Sequence, residues 1–129
     1  MRFLTADYLY PLHTDPLKEG VLQISAEGEI VNVFENRVDI PKEKLEIFGG
    51  ILCPGFINAH CHLELSHLKG ITEKGKGFLD FVSTIQKRDK FTKEEIQNAI
   101  EIAEQQMIKN GIVAVGDICN TKDTVLQKQ

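Results

Sequence analysis

The stretch Pro54-Gly55-Phe56-Ile57-Asn58-Ala59-His60-Cys61-His62 changes the character of a chain of 129 residues. Pro54-Gly55 is a turn signal. Phe56 to His62 then reads as a buried strand with a polar end. Side chains alternate along a strand, so His60 and His62 share one face and Cys61 points to the other. Residues two apart are separated by about 6.5–7 Å along a strand. From there two imidazoles can converge on one ion at about 2.0–2.1 Å from each nitrogen. Neutral imidazole suits zinc, iron or nickel. By itself, a His-x-His spacing also fits two ordinary surface histidines.

Downstream the pattern is that of an α/β protein. Glu64 to Gly77 reads as a loop, and Phe78 to Arg88 as a helix with Phe78, Phe81, Val82 and Ile85 on one side. Thr92-x-x-Glu95 has the form of a capping box. Ile96, Ala99, Ile100, Ala103 and Met107 follow at helical spacing, and Asn110-Gly111 is a suitable stop. Ile112 to Val115 is then a short apolar strand ending at Gly116-Asp117. Strand, helices and strand make one βα repeat of a parallel sheet. Ligands at the C-terminal end of such a strand sit where these folds place their sites. Asp117 ends a strand next to the candidate site and is expected to cap or hydrogen-bond a loop, with a role as a site residue the alternative, and His67 is a minor candidate for a third ligand. Cys61 reads as a small buried hydrophobe, Cys53 as packing, His13 as a turn residue and Thr121 to Gln129 as a fraying tail.

Upstream, Arg2 to Tyr10, Val21 to Ser25, Ile30 to Phe34 and Ile47 to Cys53 read as short strands of an antiparallel sheet or part of a sandwich. Residues 35–46, with Pro41 and alternating Lys and Glu, read as an exposed connection. The expected domains are therefore 1–53 and 54–129.

Composition excludes several classes. The chain is 42% hydrophobic with a net charge of −4, which argues against global disorder. Five basic and ten acidic residues lie in 1–65, and no basic block suggests a nucleic-acid partner. No apolar run approaches the roughly 18 residues of a membrane span. Three cysteines do not make a disulfide scaffold. Asp7 interrupts the first apolar run, so the start is not a signal peptide, and a reducing cytoplasmic setting is expected. There is no G-x-S-x-G and no G-x-x-x-x-G-K-[ST], and Lys74-Gly75-Lys76-Gly77 resembles a phosphate loop only superficially.

Pro54 to Glu64 resembles the signature of the amidohydrolase superfamily, of the general form P-G-x-[IVL]-[ND]-x-H-x-H. The preceding strands are similar to the small β-sandwich of its cytosine-deaminase-like branch. His62-Leu63-Glu64-Leu65-Ser66, the Gly77-Phe78 helix start and Gly111 to Asp117 are similar to the aminodeoxyfutalosine deaminase and chlorohydrolase-like group. The resemblance implies β-sandwich strands followed by the first βα unit and second strand of a (β/α)₈ TIM barrel. It implies that His60 and His62 bind a divalent metal, zinc ahead of iron, and that Glu64 touches substrate. In the family a further His, an Asp and proton-handling residues come from later strands. The implied reaction is hydrolysis of a C–N bond other than a peptide bond, with loss of ammonia from a purine-like heterocycle.

A barrel needs about 250 residues. The chain is therefore expected to be the N-terminal part of such an enzyme, inactive alone, with the missing barrel half supplied in cis or in trans. Uncovered strands make self-association a further expectation. The alternative is a small non-catalytic α+β remnant, or half of a split enzyme, whose His pair is vestigial or holds a structural ion with His67 and a cysteine.

Overall fold

The computed structural model describes residues 1–38, 40–71, 75–86 and 90–128. The chain divides into two compact units, Met1–Pro54 and Gly55–Gln129.

The first unit is built of short strands. These are β1 (Arg2–Thr5), β2 (Tyr8–Leu9), β3 (Leu17–Lys18), β4 (Val21–Ile24), β5 (Ile30–Phe34), β6 (Leu45–Ile47) and β7 (Ile51–Leu52). One sheet has the order β5-β4-β1-β6 and the other β3-β2-β7. The run Arg2 to Tyr10 is thus two strands in two sheets, and so is the run Ile47 to Cys53. Each breaks where the chain crosses between sheets. At the first break the Asp7 carboxylate accepts from Gly50 N at 2.7 Å, and Gly50 makes the second break at φ +89°. Only glycine takes that conformation at no steric cost. The pairing is mixed: β1–β4 and β4–β5 are antiparallel, whereas β1–β6 and β2–β7 are parallel. The expected exposed connection carries a 3₁₀ turn, Lys42–Lys44, and the start of β6, with Ile40 buried. Thr5, Ala6, Leu9 and Val21 form the buried centre. Cys53, expected to pack, is exposed because it lies beyond the last strand of this unit.

The second unit runs strand, helices, strand: β8 (Phe56–Cys61), a 3₁₀ segment (Leu63–Leu68), α1 (Phe78–Ile85), α2 (Lys93–Lys109) and β9 (Ile112–Asp117). Part of the expected loop is therefore the 3₁₀ segment, and residues 72–74 of it lie outside the described residues. The expected end of the first helix, at Arg88, also lies outside them. The capping box forms as expected, with Glu95 N donating to Thr92 Oγ1 and Thr92 N to Glu95 Oε2. Ile100 is fully buried, with Ile96, Ala99, Ala103 and Met107 half-buried along the same face. The helix ends at Asn110-Gly111, where Gly111 has φ +78°.

β8 and β9 pair in parallel and form, among the described residues, a two-stranded sheet. The expectation that β8 is buried does not hold: Phe56 and Ile57 are 61% and 70% exposed. A parallel sheet needs cover on both faces, and two strands beside one long helix do not provide it. Val113 and Val115 are exposed for the same reason. No described helix is long and apolar enough to cross a membrane.

Candidate metal centre

β8 delivers His60 on its penultimate residue, and His62 follows one residue past the strand end. The ring centroids are 5.1 Å apart and the planes meet at 82°. Both side chains lie at the surface. His62 Nδ1 is 2.8 Å from the carbonyl oxygen of Ile118. A carbonyl oxygen only accepts, so Nδ1 carries the proton and neutral His62 keeps its lone pair on Nε2. This is the tautomer in which a histidine offers Nε2 to a metal while its other nitrogen is anchored.

The segment after β9 holds this corner. Ile118 N donates to Cys61 O at 2.9 Å, so the backbone pairing continues past the strand. Leu63 N donates to Asp117 Oδ1 at 2.8 Å. Asp117 Oδ2 receives the Thr124 hydroxyl at 3.1 Å and pairs with Lys128 Nζ at 3.4 Å. Burial pushes the Asp117 carboxyl up. The bonds from Leu63, Thr124 and Lys128 outweigh it and hold the group below the ordinary carboxylate value. Cys61 Sγ lies 3.7 Å from Asp117 Oδ1, and burial together with that negative charge pushes its thiol up. Cys61 is thus half-buried against a carboxylate rather than buried as a hydrophobe.

Close approach of β9 to β8 depends on Gly116. A Cβ there would lie 2.5 Å from Ala59 O. Neither strand can yield to a side chain at this point without losing its pairing beside His60.

Glu64 is 3% exposed and faces the same segment. Its Oε2 accepts from Asn120 N, Thr121 N and the Thr121 hydroxyl, and its Oε1 from Asn120 Nδ2, all within 2.8–3.1 Å. Burial raises its pKa, but these bonds dominate and leave it lowered. Within the described residues the tail after Thr121 is consequently docked rather than frayed: Thr124 is 1% exposed and Leu126–Lys128 forms a 3₁₀ turn. The sequence offered Asp117 as a hydrogen-bonding residue, which it is. Thr121, Thr124 and Lys128 carry no periodic signal in the sequence.

His67 does not join the pair. Its ring packs on Phe91 at 4.9 Å, and both its nitrogens are buried without a hydrogen-bond partner among the described residues. Among the described residues no three His, Cys, Asp or Glu side chains are placed to hold a metal. The structural ion held with His67 and a cysteine is therefore not formed here. Cys119 instead lies 2.9 Å from Lys128 Nζ. His13 is the expected turn residue, its Nδ1 3.1 Å from Pro11 O.

The profile of the amidohydrolase family matches residues 51–128. The chain is 27% identical over 101 residues to a 5-methylthioadenosine/S-adenosylhomocysteine deaminase of Natronomonas pharaonis, covering 76% of this chain and 22% of that protein. It is 33% identical over 81 residues to an adenosine deaminase of Helicobacter pylori, covering 62% and 20%. A 5'-deoxyadenosine deaminase of Methanococcoides burtonii is 26% identical over 81% of this chain and 24% of its own length. The chain thus spans about a fifth to a quarter of these curated relatives. Among solved structures, an amidohydrolase from Brucella melitensis superposes with a TM-score of 0.69 at 17% identity, over 92% of this chain and 27% of its own. An adenosine deaminase from Xanthomonas campestris with bound zinc gives 0.66 at 18% identity, over 90% and 28%.

Proposed function

The chain belongs to the amidohydrolase family, and from that membership we propose that it is the metal-binding N-terminal portion of a cytoplasmic hydrolase that deaminates a purine-like heterocycle. The observation that carries this reading is the anchored His62, whose Nδ1 donates to Ile118 O and whose Nε2 is left free beside His60. The donor chemistry fits a divalent metal such as zinc or iron, and we take zinc ahead of iron because one solved neighbour holds zinc. When bound, such an ion supplies a water acidic enough to be a nucleophile near neutral pH.

In this reading His60 and His62 are two of the metal's ligands. The Ile118 carbonyl keeps the His62 proton on Nδ1. Asp117 and Glu64 hold the two segments together beneath the pair, and the spare accepting capacity of Glu64 Oε1 is the proposed substrate contact. The net reaction replaces a ring amino group by the oxygen of water, with loss of ammonia. The deaminase names of the three curated relatives and the zinc of one solved neighbour support this assignment.

Two ligands fall short of the three that a catalytic zinc takes from protein. We therefore place the remaining ligands on further βα units of a barrel, joined in cis or supplied in trans. The exposure of Phe56, Ile57, Val113 and Val115 supports that partner. The alternative, a remnant with a vestigial pair, leaves the ordered tautomer of His62 without a use.

The test is ammonia release from adenosine, 5'-deoxyadenosine and 5-methylthioadenosine. The protein is isolated from its native cells together with any polypeptide that accompanies it, then loaded with zinc. Release that disappears in His60→Ala and His62→Ala is expected, and the 129-residue chain alone is expected to release none. Metal bound at the pair with no ammonia from any of the three would overturn the deaminase reading.

A further inference from the structure

We propose that Asp117 is a positioning residue that sets the tautomer of His62, and so decides whether that ring offers a lone pair outward. The proposal rests on reading His62 as a ligand. His62 lies outside the β8 ladder, with φ −128° and ψ 77°, and its side chain is exposed. Nothing in the strand itself fixes its ring.

What fixes it comes from the last residue of β9 and the residue after it. Ile118 N holds the residue before it, through Cys61 O. The Asp117 carboxylate holds the residue after it, through Leu63 N. The Ile118 carbonyl then meets the ring between them. Residues 61–63 are gripped on both sides, and among the described residues the ring's hydrogen bond is to the Ile118 carbonyl.

The carboxylate is itself aimed. Its side chain is 4% exposed, and its second oxygen takes the buried Thr124 hydroxyl and Lys128 Nζ. A buried carboxylate is costly unless it is paired and hydrogen-bonded. Here every contact it makes serves the turn that carries His62 or the tail that buries it. Losing Asp117 orphans Leu63 N in a buried position, frees the turn and moves His62 away from the Ile118 carbonyl.

The experiment uses the full ¹⁵N-labelled chain without metal, above the range in which histidine titrates. A long-range ¹H–¹⁵N correlation reads both ring nitrogens of His62. The wild-type chain is expected to show the Nδ1–H form in about tenfold excess. In Asp117→Ala that excess falls to near parity or reverses. In Asp117→Asn, whose side-chain oxygen still accepts from Leu63 N, most of it returns. His60, which makes no such bond, stays unchanged in all three. A folded Asp117→Ala chain with an unaltered His62 ratio overturns the proposal, as does a wild-type chain lacking the excess. If Asp117→Ala does not fold, Thr124→Ala removes one of the bonds that aim the carboxylate. A shift in the same direction then supports the proposal, and no shift overturns it.

Zinc added to the same samples separates this proposal from the reading beneath it. Affinity about tenfold weaker in Asp117→Ala is expected. Should zinc perturb neither histidine of the wild-type chain while the tautomer results hold, the ligand reading fails and the positioning role stands.

Discussion

Replacing Glu64 by Ala tests whether the corner under the histidine pair is held by this carboxylate. Two backbone donors, Asn120 N and Thr121 N, and the Asn120 side-chain amide lose their acceptor, while the Thr121 hydroxyl keeps Asp123 Oδ2. A donor left unsatisfied costs about 1–3 kcal/mol when buried. Asn120 is exposed and Thr121 half-buried, so water reaches them and the lower end applies. The two backbone donors then contribute about 2 kcal/mol. The lost methylene packing of a side chain that is 3% exposed adds about 0.8 kcal/mol. The expected loss is about 3 kcal/mol, which for a unit of this size lowers Tm by about 12–24 °C.

Glu64→Gln keeps the shape but turns one amide edge toward a donor, and about half that loss is expected. The assay is urea unfolding followed by circular dichroism at the helical band, because both described α-helices lie in the second unit. The chain has no Trp, and its two tyrosines, Tyr8 and Tyr10, report the first unit separately. A loss below about 1 kcal/mol in Glu64→Ala refutes the reasoning. Such a loss, with a raised KM in the active protein, would return Glu64 to a substrate contact alone.

Gly116→Ala forces a methyl group against the Ala59 carbonyl and should cost about 1–3 kcal/mol. Gly49→Ala, where an added methyl meets nothing within 4 Å, should be neutral or slightly stabilising when unfolding of the first unit is followed through Tyr8 and Tyr10. The Asp117 carboxyl is held below its ordinary value, so it stabilises the fold fully above about pH 4. That contribution is lost as pH falls through the lower folded value, and Asp117→Asn should flatten that part of an acid unfolding curve. Zinc titrated into the isolated chain should bind weakly and in fast exchange, moving His60 and His62 together. A tight one-to-one complex that survives His60→Ala would show that other residues supply the ligands.

Much of this was legible because it is local. The capping box at Thr92 and the apolar face of α2 repeat every three or four residues, and the His60–His62 pair follows from the alternation of a strand. The upper part of the chain was less legible. Arg2 to Tyr10 is a continuous apolar run, and nothing in its pattern shows that it changes sheets at Ala6-Asp7. That crossing is set by Gly50 and Glu19, far along the chain. The clasp of Asp117, Ile118 and Thr121 on residues 61–64 was illegible for the same reason. It joins positions 54–57 residues apart, and only the closed β8–β9 pair brings them together. Burial of β8 was misjudged because an apolar strand announces what it needs to be covered by, not what this chain places over it.

The separation between β8 and β9 also orders events during synthesis. The strands of the first unit all lie before Pro54, so it can close while the rest of the chain is still being made. β8 follows directly, but its partner strand leaves the ribosome only 56 residues later. At typical elongation rates of about 5–20 residues per second, that interval lasts seconds. Throughout it, His60, Cys61 and His62 form the tip of an unpaired strand with neither the Ile118 carbonyl nor the Asp117 carboxylate in place. A nascent chain in this window presents two imidazoles and an unshielded thiol to whatever soft metal is at hand. Whatever covers the edge of β8 in that window would thus bear on the proposed metal pair as well as on the yield of folded protein.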